Sequence, residues 1–404
     1  MNKKPKIMLS NFKNNWKIFS FYNLANVFQS GGTPSTKEPT FWGGTIPWIQ
    51  SSDIQKDILF GVIPQKFISE DGLLNSSAKL ISKNSIAIVT RVGVGKLAII
   101  DQDYATSQDF LSLSDFNGDT QFIVYSIYRM LQKESTQLQG TSIKGITKED
   151  LLSKKVSLPE IDEQSAIGTL FRTLDDLLSS YKDNLTNYQS LKATMLSKMF
   201  PKAGQTVPEI RLDGFEGEWE LCEINDLADD FQSGGTPKTN VQEYWDGDIP
   251  WIQSSDLGIN CLFEIKVQKS ISEKGLESSS AKIIPKDSIA VVTRVGVGKL
   301  AVMRHEYATS QDFLSLSNLK SNIEFTAYLL YRLLQKEVNQ LQGTSIKGIT
   351  KVELLSKKVL IPSLPEQQAI GAYFSTLDNL INSHHEKIYQ LETLKKKLLQ
   401  DMFI

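Results

Sequence analysis

One segment of this chain is written almost twice. Phe28–Ile54 reads FQSGGTPSTKEPTFWGGTIPWIQSSDI, and from Phe231 the chain reads FQSGGTPKTNVQEYWDGDIPWIQSSDL, with 18 of 27 aligned positions identical at an offset of 203. The same offset relates VTRVGVGKLA at 89–98 and 292–301, YATSQDFLSLS at 104–114 and 307–317, and QLQGTSIKGITK at 137–148 and 340–351. Weaker matches carry it to both ends. Ile7, Leu9, Phe12 and Trp16 answer to Ile210, Leu212, Phe215 and Trp219, and Met199-Phe200 answer to Met402-Phe403. Such a period far exceeds the roughly 20–50 residues of solenoid repeats. It describes a duplicated domain set without net insertion, and the expected molecule is pseudo-two-fold.

Within each half the texture changes once. Residues 17–158 read as mixed α/β, with short β-branched runs such as Ser85–Thr90 between Gly, Pro, Asn and Ser clusters. Apolar spacing predicts a helix over 121–133. From Pro159 a new element begins, with Ile167, Leu170, Leu174, Leu177, Tyr181, Tyr188, Leu191 and Met195 on a heptad seam interrupted at Asn184. The second half repeats it with Ile370, Tyr373, Leu377, Leu380, Leu391, Leu394 and Leu398, interrupted at His384 and Lys387. Each helix is expected to run about 30–35 residues, or roughly 50 Å. A seam of this length needs a partner in water, and the other seam is the obvious one. Antiparallel pairing of the two helices as a coiled coil would give pseudo-two-fold symmetry, with the α/β (α+β) domains inverted at opposite ends. The expected division is 1–158, a first α/β domain; 159–200, a long helix; 201–218, a linker containing two prolines; 219–361, a second α/β domain; and 362–404, a second long helix.

Composition excludes several classes. The 404 residues are 40% hydrophobic and 22% charged with a net charge of −2, as in a soluble globular protein. No apolar run approaches the roughly 20 residues of a membrane span, and the first residues lack a signal-length apolar core. Cys222 and Cys261 are the only cysteines, which argues against a disulfide framework or a Cys-ligated zinc and fits a reducing cytoplasm. Of the three histidines, His305 answers to Gln102, and His384-His385 answer to Tyr181-Lys182, so none serves a function common to both halves. No zinc-protease, nucleophile-elbow, adenosylmethionine or nuclease pattern is present. The chain reads as a binding protein without catalytic residues or a metal site.

The candidates for contact with nucleic acid are polar loops. Gly93-Val94-Gly95-Lys96 lacks the spacing of a phosphate loop and reads as a turn between strands, flanked by Arg91 and Lys96. Ser30, Gly31 and Thr33, and then Ser51 and Ser52, offer backbone and hydroxyl donors suited to a nucleic-acid backbone. On composition alone, ordinary turn chemistry, with a helix cap at Ser52 or Asp53, is the favoured explanation of them. Gln108-Asp109 carries an amide for adenine or a carboxylate for cytosine, or stabilises its own loop. Lys144 sits in a glycine frame, Gly140–Thr147, plausible at a phosphate. The copies are Ser233, Gly234, Thr236, Ser254, Ser255, Arg294, Lys299, Gln311 and Lys347. Phe41-Trp42 and Pro47-Trp48 read mainly as packing.

Taken together, the tandem order and the signatures SGGTP…WGGTIPWIQSSDI, QGTSIKGIT, LPEIDEQSAIGTLFRTLDDLL and VPEIRLDGFEGEWELCEINDLA resemble the specificity (S) subunit of Type I restriction–modification systems, over essentially the whole chain. The resemblance implies two target-recognition domains, each reading half of a bipartite site in double-stranded DNA, with the helices as spacer. It implies two modification (methyltransferase) subunits as partners, holding adenosylmethionine and methylating adenine N6. Restriction/translocase subunits would bring ATP and Mg, and this chain would carry no cofactor. Recognition domains in this family commonly diverge, whereas these are close copies, including Arg91/Arg294, Lys96/Lys299, Gln108/Gln311 and Lys144/Lys347. A near-palindromic, interrupted target is therefore expected. The alternative is a free-standing sequence-specific DNA-binding regulator with an intramolecular coiled coil.

Overall fold

The computed structural model describes residues 4–91, 94–137, 145–258, 260–263, 265–340 and 348–404. The first half runs β1 (Lys17–Ser20), β2 (Ala25–Ser30), β3 (Trp42–Ile49), β4 (Lys66–Ile68), α1 (Glu70–Leu74), β5 (Ser85–Val89), β6 (Leu97–Ile100), β7 (Ala105–Thr106), β8 (Phe110–Phe116), α2 (Thr120–Gln137), α3 (Lys148–Ser153), β9 (Lys155–Leu158) and the long α4 (Ile161–Lys198). The second half repeats the order: β10 (Glu220–Glu223), β11 (Ala228–Ser233), β12 (Trp245–Ile252), β13 (Lys269–Ile271), α5 (Glu273–Glu277), β14 (Ser288–Val292), β15 (Leu300–Met303), β16 (Ala308–Thr309), β17 (Phe313–Leu319), α6 (Ile323–Gln340), α7 (Lys351–Leu355), β18 (Lys358–Ile361) and the long α8 (Leu364–Met402). By contacts the chain forms two units, Met1–Lys182 with Glu386–Ile404, and Asp183–His385. Each unit thus holds one α/β head, the start of the helix that follows it and the end of the other long helix. The segment 201–218, expected as a linker, packs within the second unit: Ile210 donates its N–H to Lys198 O at 3.0 Å, and Trp219 donates to Thr206 O at 2.9 Å.

In the first head an antiparallel sheet ordered β2-β8-β5-β6 lies beside a small sheet ordered β4-β3-β7, in which β3 and β7 run parallel. The strand β1 closes the head by pairing with β9. Every residue of β5 is buried because both faces of the strand are covered. Ile86 and Ile88 point into the main core with Phe122 and Tyr125 of α2. Ala87 and Val89 point into a second core with Ile49, Tyr104 and Phe110. The Tyr104 hydroxyl lies 2.8 Å from Ser85 Oγ and donates to Ser112 Oγ at 3.2 Å, which accounts for two serines inside apolar strands. Burial pushes that phenol up to about 12. The second head repeats the trio as Tyr307, Ser288 and Ser315.

The long helices pair antiparallel within each unit, because partner numbers fall on one helix as they rise on the other. In the first unit Asp175 pairs with Lys395 and Lys182 with Glu392. In the second, Tyr188 packs on His384 and Lys192 pairs with Asp378. The buried stripe differs from the seam read off the sequence. It runs Ile167, Phe171, Leu174 and Leu178, all at most 8% exposed, whereas Leu177 and Leu191 are 39% and 37% exposed. Continued in steps of three and four, the stripe passes through Tyr181, Leu185, Tyr188, Lys192, Met195 and Met199, so Asn184 does not interrupt it. In α8 the stripe runs Ile370, Phe374, Leu377, Ile381, His384, Ile388, Leu391, Lys395, Leu398 and Met402 without a break. There Leu380 and Leu394 are 36% and 44% exposed. Three positions of each seam therefore lie one residue later than the leucine pattern suggests: Phe171, Leu178 and Lys192 take the inward places of Leu170, Leu177 and Leu191, and Phe374, Ile381 and Lys395 those of Tyr373, Leu380 and Leu394.

Each lysine is paired. Lys192 meets Asp378 Oδ1, and Tyr328 of α6 donates to Asp378 Oδ2 at 2.6 Å. In the first unit Lys395 meets Asp175, and Tyr125 of α2 donates to it at 2.7 Å. Each ammonium also lies near its tyrosine ring, at 5.5 Å for Tyr328 and 5.8 Å for Tyr125. Burial beside the carboxylate raises both phenols well above the usual range. Each trio joins both long helices to a head.

A second buried carboxylate distinguishes the units. Glu366 receives Arg211 at 2.7 Å and 2.8 Å. In the repeat Met8 stands where Arg211 does, and among the described residues the counterpart Glu163 takes only the Trp16 indole N–H, at 3.2 Å. Burial without a cation raises the Glu163 carboxyl above its ordinary value. Its folded pKa thus exceeds the unfolded one, so its penalty is absent below the unfolded pKa and grows as pH rises through the folded one. Glu163→Gln should keep the Trp16 bond and raise thermal stability at neutral pH, with the gain vanishing in acid. Glu366→Gln should lower stability at neutral pH, because Arg211 loses its charged partner. Lys192→Met should cost roughly 3–5 kcal/mol in a urea titration, whereas Lys192→Met with Asp378→Leu should recover most of that loss.

Candidate nucleic-acid interface

Five links in each head, four between backbone groups and one from a lysine side chain, join its loop segments. Gly32 N–H donates to Thr106 O at 2.8 Å, joining the SGGTP loop to β7. Ser107 donates to Ile49 O at 2.9 Å, joining the β7–β8 turn to the end of β3 and the QSSD loop. Thr90 donates to Asp109 O at 2.7 Å, placing Gln108-Asp109 beside Arg91. Ile146 donates to Thr90 O at 2.8 Å, bringing the end of the QGTSIKGIT segment to the same strand end. Finally, Lys96 Nζ donates to Ser51 O at 3.1 Å, tying the β5–β6 hairpin to the QSSD loop. The second head repeats every link: Gly235 to Thr309 at 2.8 Å, Ser310 to Ile252 at 2.9 Å, Thr293 to Asp312 at 2.8 Å, Ile349 to Thr293 at 2.7 Å, and Lys299 to Ser254 at 3.1 Å.

The glycines of the SGGTP loop are packing residues. A Cβ on Gly31 would stand 2.1 Å from Thr106 Oγ1, and one on Gly32 would stand 2.2 Å from Ser77 O. Trp48 of β3 donates its indole N–H to Gly32 O at 3.0 Å, and Trp42 donates to Ser35 O at 3.1 Å. The two indoles meet edge to face at 5.1 Å. The aromatic pairs thus pack, as expected, and they do so by gripping the loop. Beneath Gly31 and Gly234, Thr106 and Thr309 are fully buried, and their hydroxyls lack a partner among the described residues. Tight closure of the loop over the β7 end leaves those hydroxyls no room for water.

The candidate residues divide by exposure. Ser30, Ser52, Arg91 and Gln108 are exposed, as are Ser233, Ser255, Arg294 and Gln311. Arg91 and Arg294 form no hydrogen bond or ion pair among the described residues, so both guanidinium groups face solvent. Gly31, Thr33, Ser51 and Lys96 are half-buried, like Gly234, Thr236, Ser254 and Lys299. Lys96 and Lys299 each donate one ammonium N–H to a loop carbonyl, which ties the hairpin to the loop and leaves two further donors on each cation. The cap expected at Ser52 or Asp53 lies elsewhere. The Asp53 carboxylate accepts the Gln50 N–H at 3.1 Å, and Asp256 accepts that of Gln253 at 3.1 Å. Lys144 and Lys347 lie outside the described residues. Thr90, Thr293 and the buried lysine trios escaped the sequence reading. Their signal was identity at the 203 offset in otherwise apolar elements.

Electrostatically the exposed face offers an arginine, hydroxyls and an amide, with Asp109 half-buried behind them. That is donor chemistry suited to phosphates and to acceptor edges of bases. Among the described residues no group of His, Cys, Asp and Glu could hold a metal, and no helix is long and apolar enough to cross a membrane.

Comparison with known proteins adds the family. The model of the Type I restriction modification DNA specificity domain matches residues 13–187 and again 216–393. The MjaIX Type I specificity subunit of Methanocaldococcus jannaschii is 28% identical over 194 residues, which is 46% of this chain and 44% of that protein. The MjaVIII specificity subunit of the same organism is 24% identical over 294 residues, 68% of each chain. The EcoR124I/EcoR124II specificity subunit of Escherichia coli is 28% identical over 192 residues, 45% of this chain and 46% of that one. The matched region thus spans less than half of two of these three relatives. In fold, the chain resembles the crystal structure of a Type I S subunit from M. genitalium, with a TM-score of 0.65 at 16% identity, covering 100% of this chain and 99% of that one. With both halves matched over most of its length, the chain belongs to the Type I restriction modification DNA specificity domain family and carries that domain twice.

Proposed function

We propose that the chain is the DNA sequence-specificity subunit of a Type I restriction–modification complex, with each head reading one half of a bipartite site in double-stranded DNA. The observation that carries this is the set of hydrogen bonds joining the SGGTP loop, the β7–β8 turn, the QSSD loop and the end of β5 with Ile146, made with the same links in both heads. Family membership favours it over a free-standing regulator. In this reading Arg91, Gln108, Ser30 and Ser52, with Arg294, Gln311, Ser233 and Ser255, meet the duplex. Lys96 and Lys299 hold the loops in place. The chain supplies recognition, and its partners supply chemistry. Two modification subunits would bring adenosylmethionine for methylation of adenine N6, and restriction/translocase subunits would bring ATP and Mg. The complex would act in the cytoplasm. Each long helix, 38 and 39 residues, would be about 57–59 Å long.

Because the exposed readers are identical in the two heads, the target is proposed to be interrupted and near-palindromic. The divergent loops at 35–45 and 238–248, and at 55–63 and 258–266, leave room for a base or two of difference. The test is sequencing of N6-methyladenine in a host carrying this chain with an adenine methyltransferase subunit. One interrupted motif with matching half-sites is expected. Two unrelated half-sites would contradict the near-palindrome, and the absence of any methylated motif would contradict the function itself.

A further inference from the structure

A glutamine amide has two faces of opposite character, a carbonyl that accepts and an –NH2 that donates, and rotation of the terminal group exchanges them. An exposed, unheld glutamine therefore reads a base edge ambiguously. Gln108 and Gln311 are exposed but held. The Thr33 hydroxyl donates to Gln108 Oε1, and the Thr236 hydroxyl donates to Gln311 Oε1 at 2.5 Å. In both copies the –NH2 end has no partner among the described residues. The backbone on both sides is fixed as well. Gly32 is tied to Thr106, Ser107 to Ile49 and Asp109 to Thr90. Pro34 is buried beside the threonine.

The geometry points to Thr33 and Thr236 as positioning residues that set the base preference of each head, by fixing which end of the glutamine amide meets the DNA. This rests on the specificity-subunit reading above and narrows it. With Oε1 engaged by the threonine, the outward edge of the amide carries two N–H donors. That edge matches an acceptor pair, guanine O6 and N7, or thymine O4. The bidentate contact to adenine instead requires the carbonyl to accept from N6 while the –NH2 donates to N7. The structure therefore favours an acceptor edge at this position, in place of the adenine that a bare glutamine suggests. The threonine itself touches no base and acts only through the amide.

The test is selection of bound duplexes from a randomised library, using the full chain co-expressed with a methyltransferase subunit and read by sequencing. Wild type should select guanine or thymine at one position of each half-site. Thr33→Val with Thr236→Val keeps the side-chain shape and removes the donor. It should cut the preference at that position about tenfold or more, with overall affinity changed only a few-fold. Thr33→Ser with Thr236→Ser should restore the preference, which a merely structural role for the methyl group would not do. Should the valine variant fail to fold, Gln108→Leu with Gln311→Leu gives an independent reading and should erase preference at the same position. Unchanged preference in the valine or the leucine variant overturns the proposal, as does selection of adenine there by wild type. A wild-type complex that selects no motif at all would instead contradict the specificity-subunit reading.

Discussion

A buried lysine–aspartate pair, capped by a tyrosine hydroxyl, sits in each unit and ties three helices together. Two charges removed from water are expensive unless each finds its partner and the remaining lone pairs are satisfied. Here Lys192 meets one oxygen of Asp378 and Tyr328 donates to the other, and Lys395, Asp175 and Tyr125 do the same in the first unit. An apolar seam alone tolerates sliding by a heptad, because leucine against leucine packs alike in several registers. A lysine that must meet one aspartate does not tolerate it. Such polar contacts are best attested as devices that fix register, and here they also fix each head to its helices through α2 or α6. The positions of the polar loops inherit that precision.

Above that anchor, each head is a rigid support for a small polar face. The strands β5 and β14 are buried on both sides, and the tyrosine–serine trios fill the polar positions within the sheets. Paired indoles clamp the SGGTP loop, glycines let it approach β7, and lysines tie the hairpin to the QSSD loop. Most of the conserved-looking polarity of the repeated segment is therefore spent inside the protein. What remains exposed is a short set of groups, one arginine, one glutamine amide and a few hydroxyls per head. A net charge of −2 is compatible with this economy, since a local donor surface, and not the overall charge, decides contact with DNA.

The repeat made the architecture legible before any coordinates, because a 203-residue offset without insertion admits few folds. The mixed heads, the helix now seen as α2, and two long helices paired antiparallel within each unit follow from alternation, turn residues and heptad spacing. The seam was read one residue early at three positions of each helix for a physical reason. Leu170/Phe171 and Leu177/Leu178 offer two apolar phases, and hydropathy at Leu191 beside Lys192 selects the outward one. Hydropathy cannot anticipate a lysine that is buried because an aspartate nearly two hundred residues away awaits it. At the interface the same limit applied. Sequence marked the polar loops but could not tell Lys96, which donates to Ser51 O, from Arg91, exposed and without a partner among the described residues, because only the fold brings the carbonyl to the ammonium.

The central claim is that the two heads are one reading device used twice. It is tested most directly by replacing residues 17–158 with residues 220–361 within the full chain, a substitution of equal length at the 203 offset, and determining the site methylated by the assembled complex. The account predicts that the exchanged chain folds and directs methylation to essentially the wild-type motif, with at most a base or two altered. A new half-site of unrelated sequence would contradict it.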